Sequence, residues 1–307
     1  MTAPAGQIHE QAPFEPERVT PEPGVFYDMS FEDYLAIDAV SASSIQTLLT
    51  SFPARLLHQK ESTPAMEDGR IAHALVLEGV DIEDSGQYVV TPKGFSMTHT
   101  KKHEELIARI EAEKLTPISE DRIETIRGMA EALKRDQQIM AALSNGRPEV
   151  TAVWREPDFG LLCKARFDWL PNKGSLIPDY KTTVSVDDDA LERAVHNFGM
   201  AHRSAWYSDA ARIAAGRGTE EKPPLYLMIL QEKTPPYFAV MRPVNPAHIE
   251  LARAQIHQAL ALYKHCRDTG VWPGPQHFRP VNLPGWYVKK LESELGEVAA
   301  DTWSDAA

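Results

Sequence analysis

Leu176-Ile177-Pro178-Asp179-Tyr180-Lys181-Thr182-Thr183 alternates as a β-strand does, with Ile177, Asp179 and Lys181 on one face and Leu176, Pro178, Tyr180 and Thr182 on the other. Asp179 and Lys181 therefore project together. Just upstream, Lys164-Ala165-Arg166-Phe167-Asp168-Trp169 has the same texture. A turn at Pro171-Asn172-Lys173-Gly174 separates the two segments, so a hairpin would bring Asp168 beside Asp179 across the ladder. Residues 150–155 read as a further strand, joined through Glu156-Pro157-Asp158-Phe159-Gly160. The spacing predicts an antiparallel meander of three strands, 150–155, 161–170 and 175–182.

Two carboxylates and a lysine that converge have a recognisable chemistry. Acidic oxygens suit hard cations such as Mg²⁺ or Mn²⁺, and close carboxylates repel each other unless a cation neutralises them. Such a cation polarises a phosphoryl oxygen, while a lysine beside it orients the attacking water or offsets charge at phosphorus. Asp-X-Lys alone is a chance tripeptide, and a strand-end aspartate with an edge lysine reads equally well as solvated surface. The rest of the chain has to discriminate.

Working outward, Ser30-Phe31-Glu32-Asp33-Tyr34 reads as a capped turn, and 41–57 as a short amphipathic helix with Ile45, Leu48, Leu49 and Phe52 at helical spacing. Asp68-Gly69 precedes Arg70-Ile71-Ala72-His73-Ala74-Leu75-Val76-Leu77-Glu78, a nearly all-apolar helix closed by Gly79 and carrying one histidine. Residues 80–100 are turn-rich, and 100–143 hold polar helices expected at the periphery, divided near Thr116-Pro117. After the meander come a long helix over 188–216, strands at 225–231 and 237–242, and a helix capped by Asn245-Pro246 and stopped by Gly270. Cys163 and Cys266 read as structural. Lys101-Lys102-His103 and Lys289-Lys290 read as solvated basic clusters, and Trp272, Trp286 and Tyr287 as loop-packing or base-stacking aromatics.

Composition bounds these readings. The chain has 307 residues, 43% hydrophobic and 25% charged, which excludes wholesale disorder and an integral membrane protein. Its net charge of -12 leaves binding of a polyanion to a local basic patch. Two cysteines are too few for a disulfide scaffold or a four-cysteine metal site, and the first residues lack the features of a secretory signal, so the expected compartment is the cytoplasm. Residues 1–24, proline-rich and poor in large aliphatics, are expected to form a flexible tail, 25–290 one domain, and 291–307 an acidic tail.

Gly69-Arg70-Ile71-Ala72-His73, then Asp168, then Ile177-Pro178-Asp179-Tyr180-Lys181-Thr182-Thr183, followed by a helix bearing Tyr207, resembles the PD-(D/E)XK nucleases of the RecB and exonuclease VIII (RecE) type over most of residues 26–280. Ser41-Ala42-Ser43-Ser44-Ile45 adds a serine-rich opening similar to that of the RecE nuclease domain of phages and prophages. The resemblance implies an α/β (α+β) fold with a restriction-endonuclease-like core, a mixed central sheet containing the meander and helices around it. It implies Mg²⁺ or Mn²⁺ held by His73, Asp168, Asp179 and the Tyr180 carbonyl, with Lys181 as the catalytic lysine. Glu149 matches an acid often present in the family, placed to bind metal directly or through water, or else a solvated strand end. The family pattern has a glutamine four residues before the tyrosine, whereas here Arg203 precedes Tyr207, with the pair one helical turn apart and able to contact DNA.

The activity so implied is 5′→3′ exonucleolysis of double-stranded DNA in phage-type homologous recombination, by a ring-shaped homo-oligomer working with a RecT-like single-strand annealing protein in a bacterial host or phage. Two other readings are a RecB-like nuclease of different polarity, such as a CRISPR-associated enzyme, whose usual cysteine cluster is missing here, and a catalytically silent DNA-binding or assembly protein on the same fold.

Overall fold

Serine caps open the chain. Ser30 accepts the amide of Asp33, and Ser41 and Ser44 form a reciprocal capping box, so helices start where the hydroxyls satisfy otherwise orphaned N–H groups. The computed structural model describes residues 19–58, 64–80, 86–98, 100–172, 176–214, 223–275 and 281–304. The elements run β1 Gly24–Phe26, α1 Phe31–Ala36, α2 Ala42–Thr50, α3 Pro64–His73, β2 Tyr88–Thr91, α4 Thr100–Glu113, β3 Thr116–Ser119, α5 Glu120–Lys134 and α6 Gln137–Ala142. They continue with β4 Gly146–Arg155, β5 Leu162–Pro171, β6 Leu176–Thr183, α7 Asp188–Asn197, α8 Met200–Ala214, β7 Leu225–Glu232, β8 Ala239–Pro243, α9 Pro246–Thr269 and α10 Gly285–Ser304. Two compact units divide between Trp272 and Pro273, and α10 lies in the second.

The expected α/β class holds, with mixed sheets and flanking helices. Among the described residues the strands form β1-β4-β5 (antiparallel), β2-β3 (parallel) and β6-β7-β8, in which β6-β7 is parallel and β7-β8 antiparallel. The meander is realised only in its first hairpin. β4 and β5 pair from Gly146↔Pro171 to Arg155↔Leu162, but β6 takes its ladder from β7, from Leu176↔Leu225 to Thr183↔Glu232. The cause is local: the Tyr180 amide, which a strand partner would use, donates instead to Asp168 Oδ2 at 3.0 Å. β5 and β6 are thus joined by a carboxylate where the sequence predicts a ladder.

Two cores lie on opposite faces of β6. Ile177 packs with Val150, Phe167, Tyr207, Tyr226 and Leu260, whereas Tyr180 packs with Ile71, Ile126, Met129, Trp169 and Ile229. α5 is no peripheral helix, since Ile123, Ile126, Met129, Ala130 and Leu133 are all buried. The turn-rich segment before it holds β2, which pairs with β3 and was too short to show a period. The long helix expected over 188–216 breaks at Gly199, whose φ of +60° an L-side chain adopts only under strain and where a Cβ would run into Gln46. Asn245 caps α9 through Ala247 N (3.0 Å), and Gly270 ends it at φ +70°, both as the sequence predicts.

Of the N-terminal tail, residues 1–18 lie outside the described residues, while Val19 bridges to Ile37 and β1 begins at Gly24. The domain expected over 25–290 is divided at 272, and α10 runs through the expected start of the acidic tail at 291. Trp272 stacks edge-on against Tyr263 of α9, the packing role, while Trp286 is largely exposed. Both cysteines are buried and free. No helix among the described residues is long and apolar enough to cross a membrane.

Candidate active site

The site begins with Tyr180. Its ring is buried in the second core and its hydroxyl donates to Gln231 Oε1 (2.7 Å), while Gln231 Nε2 donates to the carbonyls of Met129 (2.9 Å) and Tyr237 (3.2 Å). A fully satisfied buried amide of this kind fixes the ring, and through it the backbone of β6. The Tyr180 carbonyl then faces His73 Nε2 at 2.7 Å and the Lys181 ammonium at 3.0 Å.

His73 arrives as the last residue of α3, where the α-helix passes into a π-turn over 74–78 that Gly79 closes at φ +67°. Such bulges re-aim side chains and recur at functional sites. His73 Nε2 lies 3.5 Å from Asp168 Oδ2, and Nδ1 lies 3.9 Å from Glu149 Oε1. Lys181 Nζ reaches Asp168 Oδ2 at 2.9 Å and Asp179 Oδ2 at 2.8 Å, so strand alternation and the β5–β6 junction deliver the expected convergence.

Charge is concentrated here. Burial alone would lower the His73 pKa, but the Asp168 and Glu149 carboxylates outweigh it and hold the imidazole above its ordinary 6.5. Burial would raise Asp168, yet His73 and Lys181 keep it below the usual aspartate value. Burial and the neighbouring Asp168 push Asp179 up, against the pull of Lys181 and Arg203. Burial works against the Lys181 cation too, but Asp168 and Asp179 more than compensate. One lysine thus faces two carboxylates that repel each other.

The donor set fits a hard divalent cation. His73, Glu149 and Asp168 offer atoms all within 4.8 Å of one another, His73 Nε2 also meets the Tyr180 carbonyl, and Asp179 is joined to this group through Lys181. Asp179 Oδ2 is buried and, although close to Lys181, receives no aligned hydrogen bond, the condition of an oxygen that a cation would satisfy.

Arg203 and Tyr207 lie on α8 beside this cluster. Arg203 is part-buried and donates from Nε to the Phe198 carbonyl (3.2 Å); burial works against its cation, but Tyr207, Asp179, Tyr226 and Asp168 raise its pKa further. Tyr207 is buried against Phe167 and Tyr226, with ring centroids 5.5 and 5.8 Å away. Two contributors were missed by the sequence reading. Gln231 follows the apolar run Leu225-Tyr226-Leu227-Met228-Ile229-Leu230, where it reads as a polar strand end although it is fully buried. Arg166, which grips Glu149 at 2.6 Å, gave no signal beyond its charge in a buried strand.

Comparison with known proteins bears on the family and the fold. Residues 44–276 match the model of the family described as PDDEXK-like domain of unknown function (DUF3799). The chain belongs to that family. That description is PD-(D/E)XK-like, as the motifs imply, and it does not single out RecE. Among solved structures, the fold is similar to the crystal structure of a protein from Eubacterium rectale provisionally named an exonuclease, with a TM-score of 0.59 and 15% identity over 83% of this chain and 95% of that one. No curated protein matches it in sequence.

Proposed function

We propose that this DUF3799 protein is a divalent-metal-dependent deoxyribonuclease, and more narrowly a 5′→3′ exonuclease on double-stranded DNA in phage-type recombination. The single observation that carries the reading is the convergence of His73, Asp168, Asp179, the Tyr180 carbonyl and Lys181 at the β5–β6 junction. His73 Nε2, Asp168, Asp179 and the Tyr180 carbonyl would hold Mg²⁺ or Mn²⁺, which supplies polarisation of a phosphoryl oxygen and acidifies water. Lys181, kept cationic by the two carboxylates, donates to a phosphate oxygen and offsets the charge that develops at phosphorus. Arg203, a charged donor on α8, binds a neighbouring phosphate of the strand, where its fork suits two oxygens. The RecE resemblance supports the polarity, a ring-shaped homo-oligomer on duplex DNA and a RecT-like annealing partner.

Linear duplex DNA labelled separately at the 5′ and 3′ ends tests this, with Mg²⁺, with EDTA and with Lys181→Ala. Metal-dependent loss beginning at 5′ ends and abolished in the variant is expected. Loss from 3′ ends would overturn the polarity alone, and no cleavage with Mg²⁺ or Mn²⁺ would mean a silent scaffold.

A further inference from the structure

Tyr34 lies on α1, before the family match begins at 44, and yet it is built into the strand that carries Asp168. Lys164, Arg166 and Asp168 share one face of β5 by strand alternation. The two cations hold the segment around Tyr34. Lys164 Nζ donates to the carbonyls of Tyr34 and Ile37 (2.8 Å each), and Arg166 Nη1 donates to that of Met29 (2.8 Å). Both also lie over the Tyr34 ring, Lys164 Nζ at 4.7 Å and Arg166 Cζ at 6.0 Å from its centroid. The ring is thereby fixed beside Arg166, whose Nε meets Glu149 Oε2 at 2.6 Å.

The hydroxyl is the part of Tyr34 without a task in the fold. Among the described residues it has no hydrogen-bond partner, and the residue is part-buried rather than sealed. Burial and the neighbouring Tyr207 hold the phenol well above the usual tyrosine range, against the pull of Arg203 and Arg166, so it is a neutral O–H donor at any working pH. Tyr34 and Tyr207 come from opposite sides of the hairpin. Tyr34 packs with Val153 and Leu162, and Tyr207 with Val150 and Phe167, which are oppositely facing positions of β4 and β5. The β4–β5 hairpin thus has Tyr34 on one face and α8, with Arg203, on the other. We infer that Tyr34 is a substrate-binding residue, whose hydroxyl donates to a phosphate oxygen of the DNA strand lying across the β5–β6 junction, from the face opposite Arg203. This rests on the nuclease reading above. Phosphate contacts of this kind fix register and orientation, and two donors on opposite faces hold a strand where a single one would let it pivot.

The test uses the full chain in a Lys181→Ala background, so that duplex DNA is bound with Mg²⁺ and not cut. Fluorescence anisotropy reads affinity for a labelled duplex and for a series in which one phosphate at a time is replaced by a neutral methylphosphonate. Tyr34→Phe keeps the ring over Lys164 and Arg166, so its melting temperature is expected to match that of the background. Its affinity for the all-phosphate duplex is expected to fall about 10-fold, the lower end for a hydrogen bond to a charged group. The slope of log affinity against log salt stays unchanged because no charge is lost, whereas Arg203→Gln reduces that slope by about one. At one phosphate the methylphosphonate costs the background about 10-fold and costs Tyr34→Phe clearly less, since the donor is already gone. Unchanged affinity in Tyr34→Phe would overturn the inference. So would losses that add at every phosphate, because the hydroxyl would then act through the fold and touch no DNA. If neither the background nor the parent binds the all-phosphate duplex, the nuclease reading itself falls and takes the inference with it.

Discussion

Asp179 is a residue placed for a partner at the expense of the fold. It is 2% exposed, its pKa is raised by burial and by Asp168, and its Oδ2 lacks an aligned donor. Asp179→Asn is therefore expected to leave the metal-free melting temperature unchanged or up to several degrees higher, because a repulsion between carboxylates is removed. The same substitution should abolish the rise in melting temperature expected of the parent with Mn²⁺. Differential scanning calorimetry with and without metal checks both; a large destabilisation without metal would mean that Asp179 holds Lys181 in place instead.

His73 adds a pH dependence whose sign is fixed. Its folded pKa is raised, so as a cation among carboxylates it contributes stability that is present below the ordinary 6.5 and is lost as pH climbs through the raised value. A cation needs the neutral imidazole, so metal binding should release protons near neutral pH and tighten as pH rises. Calorimetric titration in two buffers of different ionisation enthalpy measures that release, and buffer-independent heats would contradict it. At this scale most of the cluster was legible, because strand alternation and one helical histidine carry Asp179, Lys181 and His73. Arg166 and Gln231 were not, since their partners are main-chain carbonyls of Met29, Met129 and Tyr237, far away in the sequence or across a turn.

At the scale of elements, the α7–α8 break shows what periodicity misses. Residues 188–214 keep a helical texture across the joint, yet Gly199 at φ +60° turns the chain so that α8 can present Arg203 and bury Tyr207. Gly199→Ala is expected to cost about 1–2 kcal/mol for the left-handed backbone, with more if Gln46 cannot move aside. Urea unfolding monitored by circular dichroism gives the number, and a neutral result would show that the joint relaxes. The meander has a similar lesson. Short turns do predict adjacency of β5 and β6, but the sequence does not reveal that a side chain would take the amide bond between them. β2 and β3 were hidden by their length of four residues each, and α5 by the number of charges on its outward face.

Across the whole molecule, the site depends on residues that precede the family match at 44. β1 pairs with β4, Met29 supplies a carbonyl to Arg166, and the carbonyls of Tyr34 and Ile37 accept from the buried Lys164 ammonium at 2.8 Å each. A chain starting at Ser41 would lose the Tyr34 and Ile37 carbonyls that accept from Lys164, the Met29 carbonyl that holds Arg166 and the β1–β4 ladder, and a hydrogen bond to a charged group is worth about 1.5–3 kcal/mol. We expect it to unfold at clearly lower urea and to lose Mn²⁺ binding with it; an unchanged midpoint would show that the segment is dispensable. The fold class was legible from composition and motif order. The division at 272 was not, because α10 continues the same mildly amphipathic, charged texture that reads as a tail.

The Tyr180 amide bond to Asp168 has one more consequence. A proton that ends on a carboxylate, with no neighbouring strand to shield it, has a lifetime set by a single side chain. In deuterium exchange the Tyr180 amide should therefore behave as a built-in gauge of Asp168, opening in Asp168→Ala while the amides of β6 that bond β7 keep their protection.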